Sequence, residues 1–351
     1  MKIAIVFNLK SKNPSPGLPE DAHEEFDAPE TIDAIALVFR EKGHEVSLVE
    51  ADSGVIENIQ RIKPDFVFNI AEGTEGRNRE SHVPMILEFL AIPYSHSDGF
   101  ALALSLDKAL TKMIAKEHGV RTPEFVVVEK ANKGPDPLRT KTVRAPAHYL
   151  PFPIFLKPSS EGSSKGIRFS SLVKNKKGLE KECRRLWSGY GNIPLLAEQF
   201  IPGREVTVGV LGTANPRVIG MMEIGWKKGE ERGDFIYSLE TKRNWREWVE
   251  YQVPAPLSKK QAREIEMIAV KIHTALGCRD VSRVDFRIDK KGVPYFIEIN
   301  PLPGLSPDYS DLVIMMRRLG MEHRSLILAI YAEAMKRYPQ LKRFCALKKR
   351  S

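Results

Sequence analysis

Apolar and polar positions change period repeatedly over the first hundred residues. IAIVF, HEVSLVE and DFVFNI are short apolar or alternating runs that predict strands, whereas APETIDAIALVFREKG, VIENIQRIKP and SHVPMILEFLAI repeat at helical spacing. Strands that take turns with helices in this way predict a parallel α/β sheet. Residues 8–26, rich in Pro, Lys and Glu, form a long loop after the first strand, at the carboxyl edge where such sheets bind ligands. No GxGxxG follows that strand, which argues against a dinucleotide fold of the oxidoreductase kind. A second loop at the same edge, AEGTEGRNRE at 71–80, carries Arg77, Arg79 and Glu80 and is either a polar turn or a ligand loop.

The texture changes near residue 98. DGFALALSLDKALTKMIAKEHG predicts one helix, EFVVVE a strand, and the Pro- and Lys-rich ANKGPDPLRTKTVRAPAHYLPFP a linker or mobile loop. IFLKPSSEGSSKGIRFS reads as a strand, a loop of small residues and a second strand, followed by a charged helix near 175–188. The last third predicts an antiparallel sheet and a helix that starts at the capping box Ser258-Lys259-Lys260-Gln261 and keeps Ile265, Ile268, Ala269, Ile272 and Leu276 on one face. The chain therefore divides into an N-terminal α/β unit (1–97), a central unit with the Gly/Ser loop (98–195) and a C-terminal unit (196–351), without internal repeats.

Within the last unit, VSRVDFRI and VPYFIEIN alternate at period 2 on either side of Asp289-Lys290-Lys291-Gly292, which predicts a hairpin. With the simplest four-residue turn, Ile288 pairs with Val293, Arg283 faces Glu298 and Asp285 faces Phe296; a slip or bulge would undo this. Arg283, Asp285, Glu298 and Asn300 then share one face within roughly 5–8 Å, where two acids repel unless something positive lies between them. Two carboxylates and an amide oxygen, with no His or Cys nearby, form a hard oxygen set that suits Mg²⁺ or Mn²⁺ rather than zinc. The alternative is a surface hairpin in which Arg283 pairs with its neighbours.

Composition narrows the choice. With 42% hydrophobic and 28% charged residues over 351 positions, the chain has the makeup of a soluble globular protein of two or three subdomains. MKIAIVFNLK lacks the pattern of a signal peptide and no run approaches about 18 apolar residues, so a cytoplasmic enzyme or binder without a membrane partner is expected. Cys183, Cys278 and Cys345 are scattered, which predicts buried free thiols. A net charge of +9 suits nucleic acid or an anionic small substrate. The tail KRYPQLKRFCALKKR spaces Tyr338, Leu341, Phe344 and Leu347 at helical intervals, which predicts a solvated terminal helix packed on a core rather than a nucleic-acid arm.

Two further segments carry chemistry. Gly162, Ser163, Ser164 and Gly166 let backbone N–H groups approach an anion, with Lys157 and Lys165 for charge; the alternative is a plain hairpin turn, and GxxxxGK[ST] is absent. LLAEQFIPGREVTV places Glu198 at the end of an apolar run and Glu205 seven residues on, so a strand edge and turn could offer backbone groups and apolar walls to a purine and a carboxylate to ribose hydroxyls; read alone, it is another surface turn.

The order of these pieces resembles the ATP-grasp superfamily and, within it, the D-alanine–D-alanine ligase family. The resemblance spans roughly residues 65 to 320 and is sharpest in IPYSHSDGFALALSLDKALTK, FPIFLKPSSEGSSKGI, AEQFIPGREVTV and RVDF…EINPLPGLSP. It implies an ATP-grasp fold, α/β with a more α+β C-terminal part, behind a Rossmann-like parallel sheet. It further implies that Lys108, Lys157 and Lys242 hold ATP phosphates, that Ser163 and Ser164 belong to the loop closing over them, and that Glu198 and the Ile201 backbone meet the adenine and Glu205 the ribose. Asp285, Glu298 and Asn300 would bind two Mg²⁺ (or Mn²⁺) ions and Arg283 would stabilise the oxyanion. Gly304, Ser306 and Ser310 match the region that receives the second substrate's carboxylate. The implied reaction is phosphorylation of a carboxylate by ATP, then attack of an amine on the acyl phosphate, with residues 226–248 as a lid and a homodimer through the N-terminal domain.

Three first-substrate contacts depart from the family. The glutamate expected in an acidic-Ser motif after the first strand is replaced by NLKSKNPSPGLPEDAHEE, the tyrosine after the lid lysine is Arg243, and the acidic-Gly loop reads AEGTEGRNRE. An arginine there favours a more acidic or differently shaped acyl donor, and Trp226, Trp245 and Trp248 could line a wider pocket. The expected activity is therefore a carboxylate–amine ligase acting on an amino acid or a similar small molecule other than the D-alanine pair. The alternatives are a genuine D-alanine–D-alanine ligase, a carboxylase or kinase of the same superfamily, a non-catalytic ATP-binding module, and a basic nucleic-acid-binding protein.

Overall fold

The computed structural model describes residues 1–11, 17–130, the backbone of 138–141, 150–230 and 234–341. The apolar runs of the first hundred residues form the expected parallel sheet: β1 (Lys2–Phe7) lies between β2 (Glu45–Glu50) and β3 (Phe66–Asn69). Alternation along β1 sends Ile3, Ile5 and Phe7 toward α1 (Pro29–Glu41), and Ala4 and Val6 toward α2 (Val55–Ile62) and α3 (His82–Phe89). Both faces are covered, as a parallel sheet requires.

The single helix predicted after residue 98 is two, α4 (Gly99–Leu106) and α5 (Lys108–Glu117). Asp107 separates them in an extended conformation, and its carboxylate accepts from the amides of Ala109 and Leu110. An Asp inside an apolar-periodic run competes for backbone donors, and here it starts a new helix with Lys108 at its first position.

A five-stranded sheet in the order β5-β4-β8-β6-β7 joins β4 (Phe125–Lys130), β5 (Leu138–Lys141), β6 (Ile154–Pro158), β7 (Leu172–Val173) and β8 (Leu195–Gln199). Helix α6 (Lys176–Tyr190) covers one face through Leu179, Cys183 and Leu186. The second strand expected directly after the Gly/Ser loop is the two-residue β7. Most of the predicted linker, and the tail beyond Leu341, lie outside the described residues.

The third sheet, β11-β10-β9-β12-β13, is antiparallel throughout: β9 (Gly203–Leu211), β10 (Arg217–Trp226), β11 (Val249–Gln252), β12 (Val281–Asp289) and β13 (Pro294–Asn300). Before β11 come α7 (Leu239–Arg243) and α8 (Trp245–Trp248). Helix α9 (Lys259–Ala275) begins at the Ser258–Gln261 capping box and packs Ile265, Ala269 and Ile272 on the sheet. Helices α10 (Asp311–Arg318) and α11 (His323–Lys336) carry the chain back against α1 and β10.

The β12–β13 register differs from the simple hairpin. Ile288 pairs with Pro294, and a bulge between Asp285 and Phe286 leaves Ile297 as the extra residue. Asp285 therefore faces Glu298, and Arg283 faces Asn300. The Asp289 side chain accepts from the amides of Lys291 and Val293, which widens the turn by one residue. Among the described residues no helix is long and apolar enough to cross a membrane, and Cys183 and Cys278 are buried free thiols.

Candidate active site

Strand alternation builds the site. Val206, Val208 and Val210 of β9 and Val284, Phe286 and Ile288 of β12 pack in the core that α9 covers. Glu205, Thr207, Arg283, Asp285 and Arg287 are therefore left on the opposite face. On β6, Ile154 and Leu156 enter the α6 core, which leaves Phe155 and Lys157 to the other side. These two polar faces line one cleft of about 960 Å³ of empty space, open mouth included, with apolar walls from Phe155, Phe200, Ile201, Ile224 and Ile236.

Four cations surround the acid pair. The Lys108 ammonium donates to the Glu161 carbonyl and stands 3.6 Å from Glu298, while Lys157 stands 3.9 Å away. Burial opposes the charge on Glu298, but Lys108, Lys157, Arg283 and Lys242 outweigh it and hold the carboxyl down at about 2. Burial likewise opposes Lys157, and Glu198 and Glu298 overcome it, raising its pKa. For Lys242 burial wins and the pKa is lowered; its ammonium lies 5.3 Å from the Tyr237 ring centroid.

Asp285 accepts from Arg283 Nε at 3.1 Å, from another guanidinium nitrogen at 2.9 Å, and from the Thr207 hydroxyl at 2.5 Å. Asn300 Oδ1 accepts from the Leu302 amide, which leaves one of its lone pairs. Among the described residues no group of three or more His, Cys, Asp or Glu side chains could hold a metal ion. The opposed Asp285 and Glu298 nevertheless fit Mg²⁺, which takes one or two carboxylates and completes its shell with water and phosphate, whereas Asn300 faces Arg283 and stays out of the cleft lining.

The Gly/Ser loop holds Ser163 and Ser164 at φ of 46° and 60°, and the Ser164 hydroxyl donates to the Tyr237 carbonyl at 2.8 Å. This joins the loop to the segment ahead of α7. Gly162 makes a close approach: its amide donates to Glu25 at 2.6 Å, and a Cβ would lie 2.5 Å from that same oxygen, so a side chain here would displace the carboxylate.

Lys108, Lys157, Ser163, Ser164, Glu198, Ile201, Glu205, Lys242, Arg283, Asp285 and Glu298 all line the cleft. The Glu198 carboxylate is engaged by Lys157 at 2.9 Å and Lys112 at 3.0 Å. The Ile201 carbonyl accepts from Arg287 at 2.7 Å. Burial pushes the Glu205 carboxyl up to about 7, against the pull of Arg287. Arg243 does not line the cleft; it is half-exposed and pairs with Glu24 at 2.8 Å and Glu20 at 3.5 Å. Gly304, Ser306 and Ser310 form a turn before α10, where the Ser306 amide donates to the Ser310 hydroxyl, and they too stay out of the lining. Trp226, Trp245 and Trp248 pack partly buried against the apolar core instead of lining the cleft.

Sequence reasoning missed Lys112, Tyr237, Arg287 and Asp311. Lys112 follows Lys108 by one helical turn, and Arg287 follows Asp285 by one strand period, so both carried a periodic signal. Asp311 accepts from the Tyr237 hydroxyl at 3.0 Å and lies 3.9 Å from Arg283; it is brought in by α10 from outside every motif. Glu25 carried no motif either, yet its buried carboxylate meets Arg79 at 2.8 Å and Lys165 at 3.2 Å.

The family model "D-ala D-ala ligase C-terminus" matches residues 114–331. A D-alanine–D-alanine ligase of Aquifex aeolicus is 33% identical over 298 residues, covering 85% of this chain and 92% of that protein. An uncharacterized protein of Sinorhizobium fredii, y4sG, is 32% identical over 314 residues, covering 87% and 88%. Among solved structures, a Bacillus anthracis D-alanine–D-alanine ligase complexed with ATP superposes with a TM-score of 0.71 at 19% identity, covering 96% of this chain and 98% of that one. The VanG D-Ala:D-Ser ligase of Enterococcus faecalis gives 0.67 at 21%, covering 95% and 99%.

Proposed function

The chain belongs to the D-alanine–D-alanine ligase family and is an ATP-dependent carbon–nitrogen ligase, and from that premise we propose that it joins an amino acid or amino-acid-like carboxylate to a small amine. The observation that carries this reading is the opposed Asp285–Glu298 pair ringed by Lys108, Lys157, Lys242 and Arg283 at one end of an apolar-walled cleft. Buried cations facing open space suit a polyphosphate, and the apolar end suits a base.

In this reading Lys108, Lys157 and Lys242 hold the phosphates, Ser163 and Ser164 cover them, and Glu205 accepts from the ribose. Asp285, Glu298 and Asn300 would hold Mg²⁺, two ions in all. Bound there, the metal would neutralise phosphate charge and polarise the reacting oxygen. A carboxylate oxygen of the acyl donor attacks the γ-phosphorus and the bond to ADP breaks. The amine nitrogen then attacks the acyl carbon, loses its proton, and phosphate departs. Arg283, one strand period from Asp285, offsets the oxyanion of the tetrahedral intermediate. Water must be kept from the acyl phosphate, and the Ser164–Tyr237 contact joins the two segments that would exclude it.

The acyl donor is proposed to differ from D-alanine. Glu25 is saturated by Arg79, Lys165 and the Gly162 amide, and Arg243 is drawn to Glu24 and Glu20, so these groups are engaged within the protein. The second reading, D-alanyl-D-alanine synthesis itself, is favoured by the relatives, several of which are D-alanine–D-alanine ligases. Competition between D-alanine and a panel of D- and L-amino acids, with the condensed products identified by mass, separates the two. D-Alanyl-D-alanine as the main product would replace the first reading by the second.

A further inference from the structure

We propose that Arg287 is a positioning residue for the nucleotide, fixing the turn that walls the purine and presenting Glu205 to the ribose. The inference rests on the nucleotide reading above and adds a residue which that reading does not use.

Arg287 is 7% exposed, on the cleft face of β12, one strand period after Asp285. Its Nε donates to the Ile201 carbonyl at 2.7 Å. One terminal nitrogen donates to Glu205 Oε1 at 2.5 Å and to the Phe235 carbonyl at 3.0 Å, and the other donates to the Gly203 carbonyl at 3.2 Å. The guanidinium carbon lies 4.7 Å from the Phe200 ring centroid.

Three of the four acceptors belong to residues 201–205, where the chain passes from β8 to β9. The fourth lies two residues before Tyr237, whose carbonyl takes the Ser164 hydroxyl. One planar side chain thus ties the purine wall to the segment that meets the phosphate loop. A planar fork of fixed donors meets four acceptors at once, which a lysine cannot do. The turn is also pressed against β12: Gly203 has φ 152°, and a Cβ there would lie 1.9 Å from the Ile288 carbonyl oxygen.

Glu205 gains most from this arrangement. Arg287 holds one of its oxygens, and the other makes no hydrogen bond among the described residues while the side chain lines the cleft. That leaves one acceptor available to a sugar hydroxyl in the cleft. The carboxyl is pushed by burial up to about 7 even beside Arg287; without the guanidinium it would hold a proton at neutral pH and lose acceptor strength.

The test is calorimetric binding of ATP and of 2′,3′-dideoxyATP, each with Mg²⁺, to the full chain, Arg287→Met, Arg287→Lys and Glu205→Gln, with folding checked by thermal unfolding. The wild type should prefer ATP. Arg287→Met should weaken ATP by about tenfold or more and remove most of the preference, Glu205→Gln should remove the preference with a smaller loss, and Arg287→Lys should fall between. A merely structural role would weaken both nucleotides together and leave their ratio intact. A folded Arg287→Met that keeps the wild-type ratio overturns this inference alone. Where Met prevents folding, an unchanged affinity and ratio in Arg287→Lys does the same. A wild type that binds neither nucleotide overturns the nucleotide reading and this inference with it.

Discussion

On the side of β6 and β12, four cations surround two opposed carboxylates and leave open space before them. On the side of the loop after β1, Asp21, Glu24 and Glu25 are matched by the protein's own groups, whereas Asp27 has no such partner among the described residues and burial pushes its carboxyl up to about 7. Asp21 meets Arg168 at 3.1 Å, the Gly166 amide and the Tyr190 hydroxyl; Glu24 meets Lys10 and Arg243 at 2.9 and 2.8 Å; Glu25 meets Arg79 and Lys165. In the proposed reading the first arrangement receives a polyphosphate and its metal. The second, through Asp21 and Glu25, straps the N-terminal loop across the Gly/Ser loop. In the proposed reading, chemistry belongs to the side that follows the family pattern, and the choice of acyl donor to the side that departs from it.

Removing the acid pair should break the first side most severely. Asp285→Ala is expected to lower ADP release by about 10³-fold or more, because a metal-held phosphate contributes several kcal/mol in the transition state. Loss of less than about tenfold would remove Asp285 from the metal set. Next, Arg283→Met should reduce kcat by roughly 10²–10³-fold while leaving the Kd for ATP nearly unchanged, since its effect falls on the oxyanion. A weakened Kd with intact kcat would assign it to ground-state nucleotide binding instead.

Glu25→Gln sharpens the comparison from the other side. Both partners of the Glu25–Arg79 pair are almost fully buried, and Arg79 would keep only Glu161 at 3.2 Å, so the loss should cost about 3 kcal/mol of stability, read by urea denaturation, while ATP binding stays within about twofold. Equal damage to ATP affinity would mean that the two sides form one unit.

A smaller effect follows from Glu205, whose folded-state carboxyl is raised to about 7 by burial. Its protonated form is kept below that value and its charge appears above it. Any stability from this raised pKa is present below the unfolded value of about 4.5 and is lost as pH rises through 7. ATP affinity should run oppositely, rising a few-fold between pH 6 and 8 in the wild type, with that part of the rise missing in Glu205→Gln. Identical slopes would exclude Glu205. Smallest of all, Arg243→Ala should change stability by no more than about 0.5 kcal/mol, because its ion pairs are partly solvated.

The legible parts of the molecule were those carried by local period. The parallel sheet, the α9 capping box and the polar face of β12 follow from alternation at two or 3.6 residues, and most of the expected site residues meet in one cleft. The β12–β13 register was not legible, because two separate one-residue shifts set it, the wider turn capped by the Asp289 side chain and the bulge at Ile297. Asp107 was hidden in an apolar run that gave no sign of a break. Asp311 reaches the cleft, and Glu25 the Gly/Ser loop, through tertiary packing from segments without motif, and Gly304 and Ser310, expected in a substrate contact, are joined to each other in a turn. Periodicity fixes which face a residue takes, whereas the partner across that face is decided by chain far away.

Ligase chemistry at the Asp285–Glu298 site is tested most directly by ADP release by the purified protein with Mg²⁺ and pairs of D- and L-amino acids, with product masses determined and Asp285→Ala run in parallel. A condensed product that requires both ATP and Asp285, and whose acyl donor is not D-alanine, is the expected result. ATP hydrolysis without any condensed product, or a condensed product that survives Asp285→Ala, would contradict it.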